Sequence, residues 1–192
     1  MEYLLKSALE RLHTTDLVKL LSISKKVGYM ILDILENRII RFDGSVNDDT
    51  LIYILTKYPF RKIDLGYNKI ITDRIIDILA TKEVVILDDD KQLTTQALCK
   101  LKNCSYISLV STNVSNDTLL EYKNCKHLLL GHTKVNDIGT TNMCHIHTID
   151  LMNTDITDNS IKNLHNCHDL DVGYTIVSNH ALEMSKILRI KT

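Results

Sequence analysis

The sequence is poor in the residues that interrupt regular structure. Its 192 residues include one proline, six glycines and no tryptophan. Proline and glycine dominate turns with special backbone angles and flexible linkers, so the chain has little material for a linker between domains. A chain of this length buries about 70% of the surface that its unfolded form exposes. We therefore predict a folded protein that needs neither a metal nor a disulfide to hold its core.

An excess of one charge is also missing. Lysine and arginine number 23 against 24 aspartates and glutamates, so no basic field is available for a nucleic-acid backbone. No stretch approaches the roughly 18 apolar residues of a membrane span. The first residues place Glu2 where a signal peptide carries a base. We expect an intracellular protein, cytoplasmic or nuclear, without nucleic-acid or membrane partners.

A disulfide framework is not indicated. The five cysteines are an odd number and form no Cys-x-x-Cys pair. This pattern favours free thiols in a reducing compartment.

One unit recurs four times between residues 105 and 180. Each copy opens on a dyad, two apolar residues separated by one other, and the second apolar residue recurs with a constant spacing of 21 at Leu109, Leu130, Leu151 and Val172. A threonine follows three residues later, at Thr112, Thr133, Thr154 and Thr175. A β-branched residue comes two further on, at Val114, Val135, Ile156 and Val177. Four copies that agree at these positions indicate a repeat architecture.

Weaker copies continue the repeat towards the N-terminus. They begin at Ile40-Arg41-Phe42, Ile63-Asp64-Leu65 and Val85-Ile86-Leu87. This makes about seven repeats with a period of 21 to 23 residues, and Leu188-Arg189-Ile190 is a candidate truncated eighth strand.

The pattern predicts a strand, a turn, a short helix and a return in each repeat. Side chains alternate along a strand, so both dyad residues face one side. The threonine lies where the chain leaves the sheet, and its side chain can bond backbone groups of neighbouring coils. We expect the polar residues Asn116, Asp137, Asp158 and Asn179 to be helix N-caps. No coil can bury its apolar face alone, so stacking supplies the core.

These features resemble the leucine-rich-repeat family over roughly residues 37 to 190. The stretch from Ile156 to Val172, ITDNSIKNLHNCHDLDV, looks especially like the cysteine-containing repeats of F-box proteins. The resemblance implies an α/β solenoid with a curved parallel sheet on the concave side and short helices on the convex side. The repeats here are shorter than in that subclass, so the helices should be shorter too.

Residues 1–36 do not fit the repeat and have helical apolar spacing. A helical cap over the first repeat is one interpretation. The run from Leu12 to Lys26, LHTTDLVKLLSISKK, also resembles the middle of an F-box, although the usual opening Leu-Pro and the tryptophan after Ser-Lys are missing. A degenerate F-box would dock a ubiquitin-ligase adaptor. The candidate docking residues are Leu4, Leu5, Leu9, Leu17 and Leu20.

Residues able to carry chemistry have simpler explanations. Cys104, Cys125 and Cys167 are spaced by multiples of the repeat period, so we expect buried thiols rather than zinc ligands. Seven of eight histidines lie between residues 127 and 180. The pairs His145/His147 and His165/His168 have spacings seen in metal sites, but we expect them to be solvated on the convex edge. Asp88-Asp89-Asp90 is predicted to form a turn. We expect no enzyme activity, cofactor or metal.

The concave face is the candidate binding site. The residue between the dyad positions and the residue two after the dyad should both point outward. The resulting candidates are Arg41, Asp64, Tyr67, Ser108, Leu129, His132, Asp150, Asn153, Asp171 and Tyr174. Aromatic residues beside charges are typical of protein-binding hot spots, although a solvated face without a partner would also be stable.

We therefore predict a monomeric protein–protein interaction scaffold. Two hypotheses remain open: a substrate-recruiting F-box/leucine-rich-repeat subunit of a cullin-type ubiquitin ligase, and a free-standing binding or inhibitor module with a structural helical cap.

Overall fold

Short strands alternate with short helices throughout the structure, a computed structural model that describes residues 25–42 and 44–192. The strands are β1 (Ile39–Arg41), β2 (Lys62–Asp64), β3 (Val84–Ile86), β4 (Tyr106–Ser108), β5 (His127–Leu129), β6 (Thr148–Asp150), β7 (Asp169–Asp171) and β8 (Arg189–Lys191). The α-helices of the described residues are α1 (Lys25–Asn37), α2 (Asp48–Lys57), α3 (Ile76–Leu79), α4 (Thr95–Leu98), α5 (Asn116–Leu119), α6 (Asp137–Thr140), α7 (Asp158–Asn163) and α8 (Asn179–Glu183). Short 3-10 helices precede α3 (Asp73–Ile75) and follow α4 (Cys99–Asn103).

All eight strands form one parallel sheet in sequence order. Neighbouring strands pair at the first apolar residue of each dyad, from Ile40 opposite Ile63 to Leu170 opposite Ile190. The strands predicted at residues 63, 85, 107, 128, 149 and 170 are confirmed. An eighth strand is also present, but its predicted register is wrong, because Ile190 takes the first dyad position and Leu188, expected to open the dyad, is 72% exposed. A coil is one strand with the turn, helix and return that follow it.

The core lies between the sheet and the helices. Both dyad residues of β4, Ile107 and Leu109, have no exposed surface, and most dyad residues of the other coils are also buried. Burial of one such side chain contributes roughly 1.5–3 kcal/mol, so stacking of the coils is the main source of stability.

The three cysteines expected in the core are buried there. Cys104, Cys125 and Cys167 lie on the return segments. Burial raises the pKa of the Cys104 and Cys125 thiols to about 12. These groups therefore remain neutral thiols at physiological pH.

The helix caps differ from those expected. The N-caps are the residues one position earlier, Ser115, Asn136, Thr157 and Ser178. Their side chains accept a backbone N–H from the first turn of the helix. An N-cap requires extended backbone angles, and each repeat has two consecutive polar residues that could have met this requirement.

Three of the four residues expected to be caps, Asn116, Asp137 and Asp158, instead link successive coils. One carboxylate oxygen of Asp137 accepts the backbone N–H of Thr157 at 2.8 Å, and the other accepts the Thr157 hydroxyl at 2.6 Å. Asp158 holds Ser178 of the following coil in the same way, with two bonds of 2.7 Å. The hydrogen bonds from Ser178 lower the pKa of Asp158. These bonds tie the cap of one helix to the first turn of the helix before it.

The threonine after each dyad bonds within its own coil, not to a neighbouring one. The Thr133 and Thr154 hydroxyls each donate at 2.6 Å to the carbonyl three residues earlier. At the equivalent position of the second coil, Asn68 Nδ2 reaches the preceding coil and donates to the Val46 carbonyl at 2.8 Å.

Asp90 occupies this position in the third coil and breaks the pattern. Its side chain is 1% exposed, and both of its carboxylate oxygens are buried without a hydrogen-bond partner. Burial, with a smaller contribution from the adjacent Asp89, raises the pKa of Asp90 to about 7. The predicted turn at Asp88-Asp89-Asp90 is present, but its last residue is an unsatisfied acid.

We predict that Asp90→Thr stabilises the protein, because the hydroxyl can donate to the Leu87 carbonyl as its equivalents do. The gain should be about 1–3 kcal/mol in the free energy of unfolding at pH 8. The raised pKa means that the wild-type acid costs the fold least where it is protonated in both the folded and the unfolded chain, below its usual pKa of 3.8, and that this cost grows as the pH rises to about 7. Denaturant unfolding at pH 4, 6 and 8 should therefore show a gain that grows with pH. A gain that is the same at all three values would contradict the assignment.

Candidate protein-binding face

Three rows of side chains line the sheet face that points away from the core, here called the open face. The first row comes from the first residue of each strand: Ile39, Lys62, Val84, Tyr106, His127, Thr148, Asp169 and Arg189. The second row comes from the third residue: Arg41, Asp64, Ile86, Ser108, Leu129, Asp150, Asp171 and Lys191. The turn row follows each strand: Gly44, Tyr67, Asp89, Ser111, His132, Asn153 and Tyr174.

Backbone geometry makes the turn row prominent. Its six residues other than glycine all have left-handed angles, with φ between 52° and 66°. Parallel pairing continues through this turn, since the His132 and Asn153 N–H groups each donate at 2.8 Å to the following coil. The side chains are thereby splayed outward. Tyr67 is 72% exposed and Tyr174 is 87% exposed, as expected for outward-pointing residues.

The second row differs from expectation at two residues. Asp64 is 3% exposed and Ser108 is 1% exposed, so their predicted exposure is wrong. Arg41 lies 2.6 Å from one oxygen of Asp64, and Ser108 donates to Asp88 on the neighbouring coil. Strands lie only about 4.8 Å apart, so long side chains of one coil cover short ones of the next. Arg41 itself remains exposed, and Leu129 is half-buried.

The aspartates at the C-terminal end of the second row also bond to their own strands. One oxygen of Asp150 accepts the Met152 N–H at 2.8 Å, and one oxygen of Asp171 accepts the Gly173 N–H at 3.1 Å. Burial raises the pKa of Asp150, and the neighbouring Asp171 raises it further. A Cβ atom at Gly131 would lie 3.1 Å from Asp150 Oδ2, so glycine leaves room for this carboxylate.

The sequence reasoning missed the first row, although the same alternation predicts it. Tyr106 and His127 of this row begin a ladder of rings that continues through His147 and His168, each of which lies one residue before its strand, and the successive centroids are 5.9, 5.7 and 4.3 Å apart. Burial, together with nearby His147 and Lys126, lowers the pKa of His127. His147 and His168 are exposed, as expected, and their ring contacts extend from His127 of the open face.

The other histidines with metal-like spacing are separate from this ladder. His145 Nε2 lies 2.9 Å from the Tyr122 carbonyl, and His165 is exposed near Lys162. Within residues 25–42 and 44–192, no group of three or more histidine, cysteine or acidic side chains is arranged to hold a metal ion. None of the described helices is long and apolar enough to cross a membrane.

The open face changes character along the stack. Arg41 and Lys62 lie near its N-terminal end. Half-buried apolar and aromatic side chains occupy the centre, namely Val84, Ile86, Tyr106 and Leu129. Asp150, Asp169 and Asp171 follow, and β8 adds two bases. A depression of about 220 Å³ lies over the centre, and one of about 470 Å³ lies over β5 to β8.

Comparison with known proteins identifies the architecture. No protein-family model and no curated protein matches the sequence. A crystal structure of the Rad7 and Elc1 complex in yeast is similar, with a TM-score of 0.61, 18% identity and coverage of 84% of this chain and 50% of that one. An internalin from Listeria monocytogenes is also similar, with a TM-score of 0.53, 12% identity and coverage of 72% and 49%.

The fold is a leucine-rich-repeat solenoid. The chain spans about half the length of each of these two solved structures. At such low identity, the likeness concerns the fold alone.

The N-terminal docking candidates lie outside the described residues. This applies to Leu4, Leu5, Leu9, Leu17 and Leu20. The helix that follows them, α1, buries Ile31, Ile34 and Leu35 in the common core. The apolar face of α1 therefore belongs to the core of the solenoid, and the cap with its boundary after residue 36 stays a prediction.

We predict that Asp150 and Asp171 have a structural contribution separable from their charge. Asp150→Asn and Asp171→Asn retain the oxygen that accepts the backbone N–H and should change the free energy of unfolding by less than about 0.5 kcal/mol. The alanine variants lose that bond and should cost about 1 kcal/mol each. Denaturant unfolding of the four variants measures the difference. Equal effects of Asn and Ala would show that the backbone bonds are unimportant.

Proposed function

We propose that this chain is a protein–protein interaction scaffold that binds its partner through the open face. The observation that carries this proposal is the conformation of Tyr67 and Tyr174. Both are large aromatic residues, both are more than 70% exposed, and both have left-handed backbone angles.

The left-handed conformation of these two tyrosines destabilises the fold. A left-handed conformation costs roughly 1–2 kcal/mol for a residue with a Cβ atom, and glycine or asparagine would tolerate it better. Neither tyrosine gains core burial in return. All six non-glycine residues of the turn row share this conformation, so the distinctive feature of these two coils is the large exposed aromatic side chain placed there, and tyrosine is enriched among binding hot spots.

The rest of the open face suits a protein surface. Its centre is apolar, the ring ladder adds flat aromatic edges, and charges of both signs lie at the ends. Interfaces with this composition combine a desolvated centre with a polar rim. The similar Rad7 was crystallised in a complex with another protein, Elc1, which supports protein binding by this architecture.

Within this function, we favour a substrate-recruiting subunit of a cullin-type ubiquitin ligase as the specific role. The F-box-like run from Leu12 to Lys26 supports an adaptor contact, and the repeats would hold the target. The alternative is a free-standing binding or inhibitor module. Ile31 and Leu35 of α1, the helix that begins at the end of the F-box-like run, are buried in the core. This burial favours the alternative, because it gives α1 a purely structural role.

The open-face proposal predicts that Tyr67→Ala/Tyr174→Ala loses its partner without losing its fold. Tagged protein should be used to capture partners from cells that express it natively, with quantification by mass spectrometry. We expect at least a tenfold loss of the main partner, because hot-spot aromatic residues each contribute 2 kcal/mol or more. Thermal stability should change little, because both side chains are exposed and alanine keeps the same left-handed backbone with its Cβ atom.

Tyr53→Ala is the matched control. Tyr53 is 62% exposed on α2, away from the open face, and its removal should leave capture unchanged. Full retention of the partner by the Tyr67/Tyr174 double variant would overturn the proposal.

The ligase role predicts a second, separable contact. Pull-down of cullin-ligase adaptor subunits should succeed with the intact chain and fail with Leu17→Asp/Leu20→Asp, while capture through the open face persists. The reason is that a carboxylate in an apolar docking surface cannot be desolvated without a large cost. Absence of adaptors from the sample of folded wild-type protein would leave the free-standing module.

A further inference from the structure

The last coil departs from the repeat at one core position. On the return segment, the earlier coils place a large buried side chain, Tyr122, Met143 or Leu164. The last coil has Ser185 there, and its strand pairs Ile190 with Leu170, a spacing of 20 residues instead of 21. The chain thus returns to the sheet without the side chain that fills this space elsewhere.

The missing side chain leaves a groove between α7 and α8. It has a volume of about 600 Å³. Ser185 and the apolar side chains of Ile161, Ala181 and Met184 lie along it. Met184 is 75% exposed, whereas the equivalent residues of the three preceding coils are Glu121, Asn142 and Asn163. The groove therefore exposes apolar surface at positions that are polar in the earlier coils.

The remaining side chains of the groove include two lysines and two histidines. Lys162, Lys186, His165 and His180 lie along it, together with Asn166. The groove also contains the carboxylate of Asp158, and each of its oxygens accepts a hydrogen bond of 2.7 Å from Ser178. Asp158 is thus engaged within the fold, while both lysines are exposed to solvent.

We propose that this groove binds an extended acidic segment of a partner protein and seats one large apolar side chain of that segment beside Ser185. The apolar anchor would occupy the space that Tyr122, Met143 and Leu164 fill in earlier coils. Acidic residues on either side of the anchor would lie near Lys162 and Lys186. The groove lies on the helical side of the solenoid, so it is a second surface, independent of the open face.

The test uses the 192-residue protein and a fluorescein-labelled peptide with one leucine flanked on each side by three glutamates. Two companion peptides replace the leucine with alanine or the glutamates with lysines. Fluorescence anisotropy should show binding of the acidic leucine peptide that is roughly tenfold tighter than that of the alanine peptide, because leucine buries more apolar area. The basic peptide should bind more weakly still, and added salt should narrow this difference.

Two variants place the binding in the groove. Ser185→Leu supplies the missing side chain and should weaken binding at least tenfold. Because Ser185 also bonds to the Leu182 carbonyl, a surface variant provides an independent check. Lys162→Glu/Lys186→Glu should weaken binding comparably, whereas Lys123→Glu/Lys126→Glu makes the same charge change on an earlier coil and should have little effect.

Three results would overturn the proposal: no binding of the acidic leucine peptide at millimolar concentration, equal affinity for the alanine peptide, or equal losses from the two lysine double variants. Concentration-dependent self-association in sedimentation experiments, abolished by Ser185→Leu, would instead make a second copy the occupant and would also overturn it. None of these outcomes depends on the tyrosines of the open face.

Discussion

Parallel pairing of very short strands is the constraint on which the rest of this structure depends. Each strand has only three residues, and each interior strand pairs with a neighbour on both sides. A three-residue strand has no stability of its own. Pairing at fixed register brings equivalent residues of successive coils into rows about 4.8 Å apart. The buried dyads and the row of turn residues that includes Tyr67 and Tyr174 are consequences of this alignment.

Polar side chains reinforce the stack where the helices begin. Asp137 and Asp158 each bind the N-cap residue of the next coil through both carboxylate oxygens. Such bonds restrain the angle and spacing of adjacent helices, which the short helices could not do through their own packing. Asp90 shows the opposite case, because a carboxylate in a position built for a donor is left without a partner. Satisfied polar groups stabilise the stack, and an unsatisfied one weakens it.

The two proposed binding surfaces arise in different ways. The open face uses positions where every coil has an outward side chain, and it becomes distinctive through the residues placed there, above all Tyr67 and Tyr174. The groove between α7 and α8 arises because the last coil lacks a core residue at Ser185. The first surface is thus specified by side-chain identity on a regular frame, and the second by an irregularity in the frame itself.

Much of the fold follows from the sequence alone, because the spacing of 21 residues and the alternation of the dyads depend only on local periodicity. These patterns predicted the strand positions, the parallel order, the buried cysteines and the exposure of Tyr67 and Tyr174. Only the tertiary structure decided which outward residues are accessible. Asp64 and Ser108 lie on the expected face but are covered by side chains of adjacent coils. The same holds for the intercoil bonds of Asp137 and for the groove at Ser185, because each depends on what a neighbouring coil places beside a residue, and local periodicity carries no information about that.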